Sequence, residues 1–374
     1  MNLDRFPSAR RWRIVHTESS PGWGGQEHRV LAELTGFKQR GLQVALVAPP
    51  ESELRRRALL AGIPVRPMRF SRALLPSNVL QLAAWLRRTG VDVLNPHSSR
   101  DAWVAGLAGR LARVPLIVRT RHFDVPIPSL TISRYVYKTL SDHILTTSPK
   151  VSEHLRLLFN LPEDRISTVP TGIDLERFSP AGPKAELAPA AQPPGIPAIG
   201  MISVIRLAKG HETLLRAARL LKNRDAPIHC VIVGEGPYRP NVEQLVRDLG
   251  LSESVSFLGH REDVPEILRA LKVLVIPSLH EGIPQVALQS LATQTPVIGS
   301  DVGGIPAILL PNRTGRLFPP GDFASLAAAI GATLEETSTT RRLAEQGRAF
   351  VETEHSLKQM LDKLEAIYCR HLAV

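Results

Sequence analysis

The stretch PAIGMISVIRLAKGHETLLRAARLLKN, residues 197–223, decides the fold. It opens with a short continuous apolar run, 197–203, which is how a parallel strand buried on both faces reads. A loop carrying Arg206 and Lys209 follows, and then a helical pattern over 210–223. A strand that feeds through a loop into a helix is half of a βαβ unit. The same alternation continues on both sides of it. C-terminal to it, strands are predicted at 227–234, 254–259, 272–277 and 295–300, with helices at 238–249, 284–292 and 322–335. N-terminal to it, strands are predicted at 12–17, 43–49, 91–97, 115–121 and 143–148, with helices at 26–40, 76–90, 100–113 and 130–141. Between the two series lies SPAGPKAELAPAAQPPGIP, 179–197, a Pro/Ala-rich segment without periodicity that reads as a linker. The expectation is an α/β chain of two Rossmann-like, doubly wound domains facing each other across a cleft, 1–178 and 198–354. A last amphipathic helix, within 355–374, would pack back on the N-terminal domain.

Bulk properties agree with two domains. A chain of 374 residues exceeds the usual size of one. No stretch approaches the roughly 18–20 apolar residues of a membrane-spanning helix. The basic N-terminus has no apolar segment after it and does not read as a secretory signal. Cys230 and Cys369 lie far apart and read as free thiols, so a cytoplasmic setting is expected. The net charge of +11 is unevenly spread: residues 1–180 hold 26 Lys+Arg against 15 Asp+Glu, and the remainder holds 20 of each. A basic N-terminal half suits an anionic ligand or surface. Nucleic acid is not expected, because the chain is only 5% aromatic and lacks nucleic-acid motifs.

Candidate chemistry sits in the loops after strands. Arg206 and Lys209, just before a helix, suit a diphosphate: a guanidinium grips two oxygens and an ammonium supplies a point charge. A solvated basic turn would have the same composition. In the loop 276–284, Glu281 precedes Gly282, Ile283 and Pro284. A carboxylate can accept from sugar hydroxyls while helix-opening amides hold phosphate. Asp301–Pro306 repeats the strand–loop–helix arrangement. In the first half, Gly22–Trp23–Gly24–Gly25 lets a backbone approach a ligand closely, or simply makes a tight turn. Ser98, Ser99, Arg100 and Asp101 follow another strand and are candidate acceptor contacts. His16, His97, His122 and His280 show no metal-ligand spacing, and no acidic pair of the DxD type is present, so no cofactor or metal is expected.

Taken together, R-x-x-K-G-H-E-T-L-L from 206, V-G-E-G-P from 233, H-E-G-I-P from 280, D-V-G-G-I-P from 301 and T-G-R-L-F-P-P-G-D from 314 resemble glycosyltransferase family 4. These are retaining enzymes of the GT-B fold. P-T-G-I-D at 170–174, W-G-G-Q-E at 23–27 and R-T-R-H at 119–122 extend the resemblance over nearly the whole chain. It implies transfer of a hexose-type or heptose sugar from a nucleotide-sugar donor to a glycan or lipid-linked acceptor, as in lipopolysaccharide or exopolysaccharide synthesis. It also implies that Arg206 and Lys209 neutralise the diphosphate and Glu281 binds donor-sugar hydroxyls. Gly282, Ile283 and Gln285 would hold phosphate and sugar, His122 would lie against the reacting sugar, and Gly24 and Gly25 would pass near the diphosphate. Gly259, His260 and Arg261 would face the base. One position departs from the family: its E-x7-E motif has Gln289 in place of the second glutamate, which keeps a hydrogen-bonding group and loses the charge. A GT-B epimerase, or a non-catalytic nucleotide- or glycan-binding protein of this fold, is the alternative. Arg55, Arg56, Arg57, Arg66, Arg69 and Arg72 alternate with Leu59, Leu60, Met68, Phe70, Leu74 and Leu75, a pattern for a solvated basic face or for peripheral contact with an anionic membrane.

Overall fold

The computed structural model describes residues 12–71, 75–122, 127, 130–187 and 195–372. Arg72 and Leu74 of the basic stretch, and part of the Pro/Ala segment, lie outside them. Seven strands form the first sheet: β1 (Arg13–Thr17), β2 (Gln43–Ala48), β3 (Val65–Pro67), β4 (Val93–Pro96), β5 (Leu116–Arg121), β6 (His143–Thr146) and β7 (Ile166–Thr168). Six form the second: β8 (Ala198–Ile202), β9 (His229–Val233), β10 (Val255–Gly259), β11 (Val273–Ile276), β12 (Val297–Ser300) and β13 (Arg316–Phe318). The orders are β3-β2-β1-β4-β5-β6-β7 and β10-β9-β8-β11-β12-β13, and every pairing is parallel. Both orders reverse direction between the first and fourth strand of their sheet, where doubly wound folds bind ligands.

The central strands are buried along their whole length, β4, β5 and β6 in one sheet and β9, β11 and β12 in the other. Helices cover both faces, which explains why these strands read as uninterrupted apolar runs. The expected two-domain α/β architecture is present. The three-residue strands β3, β7 and β13 were not expected from the sequence; they are too short to carry a periodic signal.

The chain divides into two compact units, residues 1–172 with 357–374, and residues 173–356. The division falls upstream of the Pro/Ala segment expected to be the linker. Ile173, Phe178 and Leu187 are buried in the apolar cluster of the second unit. Arg269 donates to Ser179 O and Pro183 O, at 3.1 and 2.7 Å, so the start of that segment belongs to the second unit.

The helix Leu357–Leu372 is part of the first unit. Met360, Leu361, Leu364, Ile367 and Tyr368 form one stripe on it and join the cluster built on Val30, Leu34 and Phe37. Each such side chain contributes about 1.5–3 kcal/mol when fully buried. Gly36 makes the seat: a methyl group there would come within 2.4 Å of Leu361. Arg40 ties the same helix down through Asp362 (2.8 Å) and Glu365 (3.0 Å).

Candidate active site

In the second unit the loop after β8 is fixed from below. Ile205 is fully buried; its N–H donates to Glu235 O (3.0 Å) and its carbonyl accepts from Tyr238 N–H (3.2 Å). Gly234 and Gly236 of V-G-E-G-P are required by this contact, since a Cβ at either would lie 2.0 Å from Ser203 O and 2.2 Å from Ile205 O. Leu207–Lys209 make one 3₁₀ turn, closed by Gly210 at φ 73°. A Cβ on Gly210 would meet Pro277 O at 1.9 Å, and Leu279 N–H donates to Ala208 O (2.8 Å). The loops after β8 and β11 are therefore joined backbone to backbone.

This junction brings together two residues far apart in sequence. Lys209 Nζ donates to Glu281 Oε2 at 2.5 Å, and Ser278 Oγ donates to the same oxygen at 3.0 Å. Both partners are partly exposed, at 27% and 15%. Arg206 is exposed and has no carboxylate partner among the described residues. One cation is thus paired and the other open. Behind Glu281, Gly303 adopts φ 57° with its Cβ position 1.8 Å from Glu281 O, and Gly304 N–H donates to Gly282 O (3.1 Å). Gly282 itself is exposed, and nothing lies within 4 Å of a Cβ placed there. Ile283 is half-buried, and Gln285 opens the helix Gln285–Ala292 directly after Pro284. Gln289 lies one turn on, half-buried on the same face as Gln285. Gly259 (φ 64°) ends β10 and His260 is exposed. Arg261 is occupied by Asp263, through Nε to Oδ1 at 2.7 Å and a second bond from Nη2. That bond holds the Asp263 carboxyl below its ordinary range.

The first unit presents different chemistry at its strand ends. His16 lies on β1, His97 one residue past β4, and His122 one residue past β5, and these strands are neighbours in the sheet. The three imidazoles form a chain: His16 Nδ1 to His97 Nε2 at 2.7 Å, and His97 Nδ1 to His122 Nε2 at 2.9 Å. Burial pushes the pKa of His16 down to about 4. His97 is pushed well down by burial and by the two flanking histidines, and His122 by burial with Arg29 and Arg119 close by. All three are neutral near pH 7. Glu33 Oε2 stands 3.8 Å from His16 Nδ1, and Glu33 Oε1 accepts from Arg29 at 2.7 Å. Donor atoms of His16, Glu33 and His97 lie within 4.8 Å of one another. The sequence spacing gave no sign of this cluster. Two nitrogens sharing a tetrahedral metal sit about 3.3 Å apart, so 2.7 Å describes a hydrogen bond instead.

Two buried carboxylates complete this layer. Asp101 accepts from Thr17 Oγ1 (2.7 Å), His97 N–H (3.0 Å) and Ser98 N–H (2.9 Å). Burial, with the charge of Glu18 nearby, raises its pKa to about 7. Full burial and these bonds place Asp101 among the groups that hold the loop, apart from Ser99 and Arg100, which are exposed. Ser98 donates to Glu18, as does Gln26 at the start of the helix Gly25–Gln39. Gly24 caps that helix, its N–H donating to Glu27 Oε2 at 2.9 Å, and Gly25 is the first helical residue. Glu18, which ties the Gly-rich turn to the loop after β4, was not expected from the sequence; its one signal is its position just past the first strand.

The basic stretch is less open than its composition suggests. Met68 and Phe70 are buried in the core. Glu53 accepts from Arg56 and Arg57, and Arg57 and Arg66 stack on Trp23 and Trp85. Leu59 and Leu60 are exposed. Among the described residues no helix is long and apolar enough to cross a membrane.

Residues 187–350 match the family described as "Glycosyl transferases group 1", and residues 23–177 match "Glycosyltransferase Family 4". The chain is 28% identical to a D-inositol 3-phosphate glycosyltransferase of Nocardia farcinica, over 91% of this chain and 85% of the relative. Over a shorter region, 39% of each chain, it is 38% identical to the putative glycosyltransferase EpsF of Bacillus subtilis. Among solved structures, a glycosyltransferase from Rickettsia africae superposes with a TM-score of 0.84 at 22% identity, covering 97% of this chain and 99% of that one. HepE of Anabaena in complex with UDP gives 0.79 at 17% identity, covering 95% and 98%. At these identities the two structures speak for the fold.

Proposed function

The chain belongs to the group 1 glycosyltransferases of family 4 and has the GT-B fold, and from that premise we propose that it moves a hexose-type or heptose sugar from a nucleotide-sugar donor to a glycan or lipid-linked acceptor. The observation that carries this reading is the junction of the loops after β8 and β11. There Lys209, Glu281 and the open guanidinium of Arg206 stand beside an uncovered Gly282. A departing nucleoside diphosphate develops negative charge, and preorganised cations stabilise it with little reorganisation. The Lys209–Glu281 pair keeps the ammonium in place before the donor arrives. Glu281 is then held in one orientation, with Oε1 available for a sugar hydroxyl. In this reading the amides of Gly282, Ile283 and Gln285 take up phosphate and sugar oxygens, and His122 lies against the reacting sugar. Gly24 and Gly25 pass near the diphosphate, Gly259 and His260 border the base, and Gln289 bonds the ribose uncharged. Arg206 and Lys209 supply the positive charge, so chemistry without a metal is part of the proposal. That HepE has been solved with UDP, and in another structure with UDP-glucose, supports a nucleotide-sugar donor.

On the acceptor side the exposed Ser99 and Arg100 favour an anionic or hydroxyl-rich group. The relatives named for D-inositol 3-phosphate are consistent with a phosphorylated acceptor. Membrane attachment would rest on Leu59, Leu60 and the arginines around them, and flotation with anionic against neutral liposomes tests it; equal partitioning removes it from the proposal. The activity itself is tested by incubating the enzyme with UDP-, GDP- and ADP-sugars and following release of the nucleotide, with and without EDTA. Release from at least one donor, unaffected by EDTA, is expected. An interconverted sugar with no release would favour an epimerase, and binding without turnover a non-catalytic protein.

A further inference from the structure

Glu18 is a fully buried carboxylate with no cation at ion-pair distance among the described residues. An ionised group loses much hydration on burial, so it persists only where several donors converge on it. Three do, from three segments. Ser20 N–H donates to Oε1 at 2.9 Å, Ser98 Oγ donates to the same oxygen, and Gln26 Nε2 donates to Oε2. Gln26 Nε2 also donates to Ser98 Oγ at 2.9 Å, which closes a ring of three side chains. Ser20 Oγ in turn accepts from Gly22 N–H at 3.1 Å, so one carboxylate holds both ends of the Gly-rich turn. On the other side Ser98 N–H donates to Asp101 at 2.9 Å, and Asp101 also accepts from Thr17 Oγ1, beside Glu18. Burial raises the pKa of the Glu18 carboxyl, and the bonds from Ser98, Gln26 and Ser20 oppose the rise. The strands below need no such tie. β1 and β4 already pair through Thr17 and Pro96, and His97 N–H donates to Thr17 O at 3.1 Å. The ring joins only the two loops beyond the strand ends.

We infer that Glu18 is a positioning residue that makes the Gly-rich turn, 20–26, and the loop after β4, 97–101, one mechanical unit: the turn keeps its place only while the loop keeps its own. The consequence for turnover rests on the reading above, in which Gly24 and Gly25 pass near the diphosphate while Ser99 and Arg100 meet the acceptor. One buried carboxylate then sets the donor-side turn and the acceptor-side loop together. Glu18 acts through these neighbours, because its oxygens are taken up by Ser20, Gln26 and Ser98 and are closed to solvent.

The test has two readouts on the full-length protein. The first, amide hydrogen exchange, needs no substrate. Ser98→Ala cuts the tie at the loop and leaves Glu18 bonded to Ser20 and Gln26. Exchange across 20–24 should still quicken by about 10-fold, the loss of one hydrogen bond to a charged group, with the amides of β1 and β4 unchanged. The second readout is nucleotide release from UDP-, GDP- and ADP-sugars. Glu18→Ala should raise the donor KM by about 10–100-fold, as for loss of the partner that orients a working group. Loss of folded enzyme would lower kcat and leave KM alone, so a rise in KM marks a misplaced turn. Glu18→Gln keeps an acceptor oxygen for Ser20 and Ser98 and should stay within a few-fold of the wild type. Turn exchange unchanged in Ser98→Ala overturns the inference, as does an unchanged donor KM in Glu18→Ala. A Glu18→Gln variant as impaired as Glu18→Ala also overturns it, since the charge itself would then be the working feature. No release from any donor by the wild type would overturn the reading of the reaction, and the exchange result would still decide the tie, so the two failures are distinguishable.

Discussion

The two sheets have the same strand order up to the sixth strand, and their strand ends carry opposite chemistry. In the first unit the ends of β1, β4 and β5 hold neutral histidines, His16 and His97 fully buried and His122 half-buried, and two buried carboxylates, all bonded to one another or to backbone. In the second, the ends of β8 and β11 hold an exposed arginine, a partly exposed lysine–glutamate pair and glycines pressed against neighbouring carbonyls. One topology therefore gives a dry network that orients neutral groups and an open, cationic one that accepts charge. Burial shapes the difference: in the first layer the histidines are held neutral, and the buried ions are paired, Arg29 with Glu33, or bonded to carbonyls, as Arg119 is.

This contrast can be broken by substitution. The largest effect belongs to the open layer: Lys209→Ala and Glu281→Ala should each lower turnover by about 10²–10³, with only a modest fall in melting temperature, because the pair is partly exposed and solvent takes up part of the lost interaction. Turnover near wild type in either variant removes that residue from the site. Next come the glycines. Gly303→Ala forces a Cβ onto Glu281 O in a left-handed conformation and should cost about 1–3 kcal/mol by chemical denaturation. Gly282→Ala has room, so it should leave stability unchanged and weaken donor binding, sharpening the line between glycines that build the loop and one that borders the ligand. The last effect, read only as a difference between two proteins across pH, belongs to the buried layer. His16 has its pKa lowered to about 4, so it contributes stability above the unfolded value near 6.5 and loses it as pH falls toward 4. The loss is at most about 3 kcal/mol. Asp101 and Glu18, raised, act in the opposite sense. The comparison is therefore made on the difference: melting between pH 7.5 and 5 should fall further in the wild type than in His16→Gln. An equal fall would show that His16 is not held neutral by burial.

Much of this was legible in the sequence, and the reasons differ by residue. The central strands announced themselves because burial on both faces demands continuous apolar runs. Leu187 was hidden inside the Pro/Ala-rich stretch, where composition suggested a linker; with Phe178, just before that stretch, it anchors the chain in the second unit. Arg206, Lys209 and Glu281 were readable as residue types in strand-end loops. Their meeting was not, because 72 positions separate Lys209 from Glu281 and only the β8–β11 pairing joins them. Asp101 looked like a strand-end ligand; its neighbour Ser98, three residues earlier, is the capping pattern that spends a carboxylate on backbone amides. The histidine row needed the strand order, since His16, His97 and His122 become neighbours only when β1, β4 and β5 lie side by side.

The central claim, that the loops after β8 and β11 bind the diphosphate of a nucleotide sugar, is tested most directly by ligand-induced thermal stabilisation. A ligand at 100 times its Kd raises the stability of the folded state by about 2.7 kcal/mol. The account predicts that at least one of UDP-, GDP- and ADP-sugars raises the melting temperature of the wild type, and that the rise disappears in the double variant Arg206→Ala/Lys209→Ala. A rise that survives in the double variant, or none with any of these donors, would contradict it.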